Sequence, residues 1–151
     1  MEQNLLKLED TLCYQFTDKT LLRAALTHKT YAFEADTPEE YNERLEFLGD
    51  SILSFVVGEY LYQTNSFFSE GELTRRRAGI VNNRLLAKKA KDLHIGSYLL
   101  LGKGEQKQQG HTTPSTLANA LEAIIGAIYL DSDLPTIRSF ITTTLFHDVL
   151  P

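Results

Sequence analysis

One cysteine, Cys13, stands in 151 residues, so the chain cannot close an internal disulfide, which fits a reducing compartment. No stretch approaches the ~20 apolar residues of a membrane span. The first ten residues carry Glu2, Glu9 and Asp10 and lack the apolar run of a signal peptide. These absences predict a soluble, cytoplasmic protein with no membrane partner. Repeats and low-complexity tracts are missing, and no segment sustains the period-two alternation of a half-buried strand. Positive charge is also short. The formal net charge is -5, which taken alone argues against nucleic acid, whose binding rests on neutralising phosphates.

Hydrophobic residues make up 42% of the chain, enough for a real core, and the length suits one domain spanning 1–151. The charge is unevenly spread. Between Glu70 and Asp92 seven basic residues (Arg75, Arg76, Arg77, Arg84, Lys88, Lys89, Lys91) face three acidic ones, so this segment is +4 and the remainder -9. Helical patterns fill the spaces between Pro38, Pro114, Pro135 and Pro151. Leu5, Leu8 and Leu12 predict a first helix. Asp18 or Thr20 caps a second over 21–26, and 33–40 reads as a polar loop. A long helix is predicted from Glu43 to about Tyr62. Ser69 with Glu72 begins another as a capping box, broken near Asn82-Asn83 and ended by Gly96. Gly102, Gly104 and Gly110 mark a flexible loop. Thr113 caps a helix over 115–129, and a last helix reaches about Phe146. The fold class is all-α.

Two of these helices carry acids where apolar residues belong. In 115–130, Asn119 and Glu122 lie three residues apart on one face, and between Thr116 and Tyr129 everything around them is Ala, Leu, Ile or Gly. A carboxylate buried there needs a cation or several donors. Glu43, Glu46 and Asp50 form one stripe along the long helix, and that stripe runs on into Leu53 and Val57. Facing each other, the two helices would bring together Glu46, Asp50, Asn119 and Glu122, with Glu43 near. All are oxygen donors, a set that selects Mg²⁺ or Mn²⁺ over zinc. Pairing of these acids with Arg44 or Arg75 to Arg77 is the alternative, and the residues alone leave both open.

The segment "NERLEFLGDSIL", Asn42 to Leu53, resembles the signature of the ribonuclease III family. "LLRAALTHKT", "SEGELTRRRAGIVNN", "LGKGEQ" and "PSTLANALEAIIGAIYLD" resemble its other blocks, in the right order and over nearly the whole chain. The resemblance implies a helical endonuclease-domain fold acting as a homodimer. It implies that Glu46, Asp50 and Glu122 bind Mg²⁺ (with Mn²⁺ able to substitute) and position water, with Asp50 and Glu122 catalytic and Glu43 in support. The implied reaction is hydrolysis of double-stranded RNA to 5′-phosphate and 3′-hydroxyl ends with a short 3′ overhang, in rRNA and mRNA processing and without a small-molecule cofactor. The family's dimer contact uses the signature aromatic, here Phe47, although an ordinary core position is the commoner place for a phenylalanine. Arg75, Arg76, Arg77, Lys103 and Lys107 are candidate RNA contacts.

Two features depart from the family pattern. Its last acidic helix usually carries aspartate where this chain has Asn119, which keeps a carbonyl ligand and drops one negative charge. Weaker Mg²⁺ binding with some activity retained is expected. Bacterial members usually continue into a double-stranded-RNA-binding domain, whereas this sequence stops at Pro151. The competing readings are a non-catalytic RNA-binding or ribosome-associated dimer, and a helical metal phosphohydrolase acting on nucleotides. The second would use histidine-aspartate pairs, and here only His147 is followed by aspartate, in the terminal helix beyond the acid cluster.

Overall fold

The computed structural model describes residues 2–151. Helices follow one another from end to end: α1 (Glu2–Leu12), α2 (Lys19–Leu26), α3 (Lys29–Glu34), α4 (Glu43–Thr64), α5 (Glu70–Ile80), α6 (Asn83–Asp92), α7 (Lys103–Lys107), α8 (Pro114–Asp131) and α9 (Leu134–Ser139). Short 3₁₀ turns lie at Ile95–Tyr98 and Gly110–Thr112, and α9 runs on into a π-helical turn, Phe140–Leu145. Among the described residues the β-structure is one isolated parallel bridge between Thr27 and Leu100. No helix among them is long and apolar enough to cross a membrane.

The centre of the molecule is α8. Every residue from Leu117 to Ile128 except Asn119 is buried, because α2, α4, α6 and α9 all pack on it. Each buried Ile or Leu there contributes about 1.5–3 kcal/mol through area removed from water. The end of α8 is tied to the α1–α2 connection by Asp131, which accepts hydrogen bonds from Tyr14 Oη (2.7 Å), Thr17 N (2.8 Å) and Asp18 N (2.8 Å). Burial and the bond to Asp131 push the Tyr14 phenol up to about 12.

Local caps explain most boundaries. Asp18 accepts from Thr20 N, Ser69 from Glu72 N and Asp133 from Thr136 N. Asn82 accepts from Leu85 N and starts α6, which makes the predicted break near Asn82-Asn83 real. Several predicted boundaries differ. The loop over 33–40 loses its first two residues to α3, which His28 caps by accepting from Thr30 N through Nδ1. The glycine-marked loop contains α7, whose first amide, Lys103 N, is held from a distance by the Glu34 carboxylate. Gly96 does not end α6. That helix stops at Asp92 and His94 takes a left-handed φ of 56°, while Gly96 is required because a Cβ there would lie 2.2 Å from the His111 carbonyl. Thr113 precedes α8 without a side-chain cap. The last predicted helix is divided at Phe140, where α9 gives way to a π-helical turn that ends with Phe146 N bonding back five residues to Ile141 O.

One contact fixes how the two long helices meet. A Cβ built on Gly49 of α4 would fall 1.7 Å from the Glu122 carbonyl oxygen, and one on Gly126 of α8 would fall 2.4 Å from that of Leu45. The backbones touch, and only hydrogen fits between them. Gly49→Ala or Gly126→Ala is expected to cost about 3 kcal/mol, the upper part of the usual overpacking range, and to lower the melting temperature by roughly 6–12 °C. Gly104, with nothing within 4 Å of its Cβ position, is the control. Thermal unfolding followed by circular dichroism checks the set, and an unchanged Gly49→Ala melt contradicts the contact.

Candidate active site

The close crossing sets the geometry of the acids. Glu46 and Asp50 flank Gly49 on α4. Glu122 lies on α8 where Gly49 touches it, and Asn119 sits one turn earlier. The structure brings all four together. With its amide nitrogen facing α4, Asn119 donates to Glu46 Oε1 at 3.2 Å and to the Ser115 carbonyl at 3.2 Å. Glu122, only 5% exposed, shares a hydrogen bond with Asp50. Two carboxylates can share such a bond only if one keeps its proton. Burial, the bond to Asp50 and the charges of Asp50 and Glu46 together raise Glu122 from 4.5 to about 8. Burial, then Glu43 and Asp50, raise Glu46 as well.

Neutralisation by arginine is not the arrangement. Among the described residues no basic side chain forms an ion pair with Glu46, Asp50 or Glu122. Arg75 and Arg76 instead pair with Glu72 at 3.4 and 3.3 Å, and Arg76 also lies over the Phe68 ring. Glu43 alone has a cationic partner, Lys29 at 3.3 Å. As they stand, no three acidic, histidine or cysteine side chains among the described residues form a ready-made metal cage. The donor chemistry nevertheless suits a hard divalent cation, since three carboxyl groups and an amide face one another with no nitrogen or sulfur ligand among them.

The remaining predicted residues lie elsewhere. Arg75, Arg76 and Arg77 project from α5, whose exposed surface leaves only Ile80 buried. Lys103 and Lys107 bound α7 and are exposed. None of the five makes a hydrogen bond or ion pair with the acids. Phe47 is not a core residue. It is 78% exposed on α4 and borders a hollow of about 1230 Å³ lined by Leu21, Arg23, Leu45, Leu48 and Leu130 among others. Residues that sequence reasoning passed over are Gly49 and Gly126, which let the helices approach, Ser115, whose carbonyl fixes the Asn119 amide, and Lys29. A glycine within one turn of an acid on each helix is the signal that was there to read.

Comparison with known proteins gives a consistent answer. The family model described as Ribonuclease-III-like matches residues 18–149. The chain is 52% identical over 125 residues to Ribonuclease 3 of Oleidesulfovibrio alaskensis, covering 83% of this chain and 55% of that protein. It is 44% identical over 149 residues to Ribonuclease 3 of a Nitratiruptor species, covering 99% and 63%. It thus spans less than two thirds of these relatives. The nuclease domain of ribonuclease III from Campylobacter jejuni superimposes with a TM-score of 0.87 at 41% identity, covering 95% of this chain and 96% of that one. That structure is described for flexibility in a region involved in dimer formation. Dicer from Pichia stipitis aligns with a TM-score of 0.66 at 28% identity, over 90% of this chain and 57% of that one.

The raised Glu122 predicts a pH dependence with a definite sign. Without metal, the folded chain holds a proton that the unfolded chain releases near 4.5, so stability falls as pH rises from about 4.5 to about 8. Glu122→Gln removes this proton uptake. In EDTA its melting temperature should stay flatter than that of the parent between these two pH values, and parallel curves contradict the assignment.

Proposed function

The chain belongs to the ribonuclease III family, and on that premise we propose that residues 1–151 form the catalytic domain of a cytoplasmic, Mg²⁺-dependent endoribonuclease that cuts double-stranded RNA, in rRNA and mRNA processing. The observation that carries this reading is the convergence of Glu46, Asp50, Asn119 and Glu122 from α4 and α8 with no basic partner among the described residues. Glu46, Asp50 and Glu122, with the Asn119 carbonyl oxygen once its amide turns, would hold Mg²⁺ or Mn²⁺, and Glu43, paired with Lys29 one turn before Glu46, would be a supporting residue outside that set. When bound, the ion supplies a more acidic water and charge stabilisation at the scissile phosphate.

The residues themselves have three tasks. Glu122 gives up its proton to solvent water, so that it would act as an anion beside Asp50. Asp50 is exposed and can orient the attacking water from the open side. The apolar packing of α8 around Glu122 excludes bulk water from the inner side. The products would carry 5′-phosphate and 3′-hydroxyl ends. Duplex RNA is read by shape, phosphates and 2′-hydroxyls, so no base-reading pocket is needed, and Arg75, Arg76, Arg77, Lys103 and Lys107 are candidate phosphate contacts. The exposed Phe47 beside its hollow supports a homodimer in which each protomer covers the other's aromatic ring and cuts one strand, giving the short 3′ overhang.

The purified chain should cut labelled long double-stranded RNA in Mg²⁺ or Mn²⁺. Glu122→Ala is expected to slow cutting by about 10²–10³-fold, the cost of removing electrostatic stabilisation at the reacting centre. Failure of both the chain and Asn119→Asp to cut at high metal and low salt contradicts the enzyme reading and favours the second one, a non-catalytic RNA-binding dimer, which Asn119 alone supports. Phe47→Asp is expected to give a monomer by analytical ultracentrifugation, and an unchanged mass contradicts the dimer contact.

A further inference from the structure

We propose that Asn119 is a neutral clasp that holds Glu46 in place when no cation is bound, so that this chain exchanges divalent-cation affinity for stability of its metal-free fold. The second half of this inference rests on the metal-site reading above, and the first half does not. The Asn119 amide lies between two acceptors, Glu46 Oε1 and the Ser115 carbonyl, each 3.2 Å away. Only an NH₂ group can serve both, so the nitrogen faces them and the carbonyl oxygen, the one atom of Asn119 able to ligate a cation, is on the other side of the amide. Each bond has a different consequence. The one to Ser115 anchors the side chain to its own helix. The one to Glu46 crosses to α4 and ties the two helices at the point where their backbones touch.

Glu46 needs such a donor. It is half-buried, has Glu43 and Asp50 for neighbours along α4, and pairs with no basic side chain among the described residues. A carboxylate at position 119 would have no N–H to give and would set a like charge against Glu46. The same carboxylate would bind a hard cation more tightly, because affinity follows ligand charge. The two demands therefore oppose each other at one side chain, and asparagine satisfies the metal-free one.

The test compares thermal unfolding of the full chain, Asn119→Asp and Asn119→Ala at pH 8 in EDTA and in saturating Mn²⁺, with Mn²⁺ affinity measured by titration calorimetry. In EDTA, Asn119→Asp should melt several degrees below the parent and below Asn119→Ala, which loses the donor without adding charge. In Mn²⁺ the order of parent and Asn119→Asp should reverse, with Kd tightened roughly tenfold by the added ligand charge, while Asn119→Ala binds no tighter than the parent. A role confined to packing would move stability in both solutions alike. An Asn119→Asp protein as stable as the parent in EDTA overturns the clasp. If the parent binds Mn²⁺ and Asn119→Asp binds it no better, the exchange is overturned while the metal reading stands. If neither binds Mn²⁺, the exchange and the metal reading fall together, and the EDTA comparison alone decides the clasp.

Discussion

Everything that distinguishes this molecule from a generic helical bundle depends on the backbone contact between α4 and α8. Gly49 and Gly126 remove the two side chains that would otherwise hold the helices a normal distance apart, and a carbonyl oxygen fills each gap. At an ordinary interaxial distance of 8–10 Å the side chains at the contact would separate the acids of one helix from those of the other. With the backbones touching, Glu46 and Asp50 reach Asn119 and Glu122 directly. Packing and chemistry are therefore a single feature here, and neither can be altered without the other.

The contact carries an electrostatic cost. Glu122 is placed among Ala, Leu and Ile side chains and beside Asp50, so in the absence of a cation it is better off keeping a proton. No arginine relieves this, although three stand in a row on α5, where Glu72 and the Phe68 ring hold two of them. Selection for stability alone would replace Glu122 with an apolar residue, because a buried charge without a partner seldom stabilises a fold. On the proposed reading, a carboxylate stands at that position because it serves as a cation ligand.

Much of this was legible before any coordinates. The acid stripe Glu43, Glu46, Asp50 and the lone polar pair Asn119 and Glu122 stood out because they violate the apolar pattern of their helices, and the burial of Glu122 followed from the composition of 115–130. Caps supplied by a neighbouring residue, such as Asp18 and Ser69, were also readable. The features that were not readable depend on distant partners. Helix α7 is held at its start by Glu34, some seventy residues earlier in the chain. The need for Gly96 comes from the His111 carbonyl. The cap of α3 is a histidine, which is not among the favoured cap types. Phe47 was ambiguous for the same reason, since exposure is a property of what surrounds a residue. The Asn119 amide orientation required knowing that both of its neighbours are acceptors.

The central claim is that the α4–α8 crossing builds a cation site from Glu46, Asp50, Asn119 and Glu122. Anomalous diffraction from crystals of the chain soaked in Mn²⁺ tests it most directly. The account predicts an anomalous peak between α4 and α8, within ligand distance of oxygens from these side chains, that disappears in Glu122→Gln crystals. A strong peak elsewhere, or none there at saturating Mn²⁺, would contradict it.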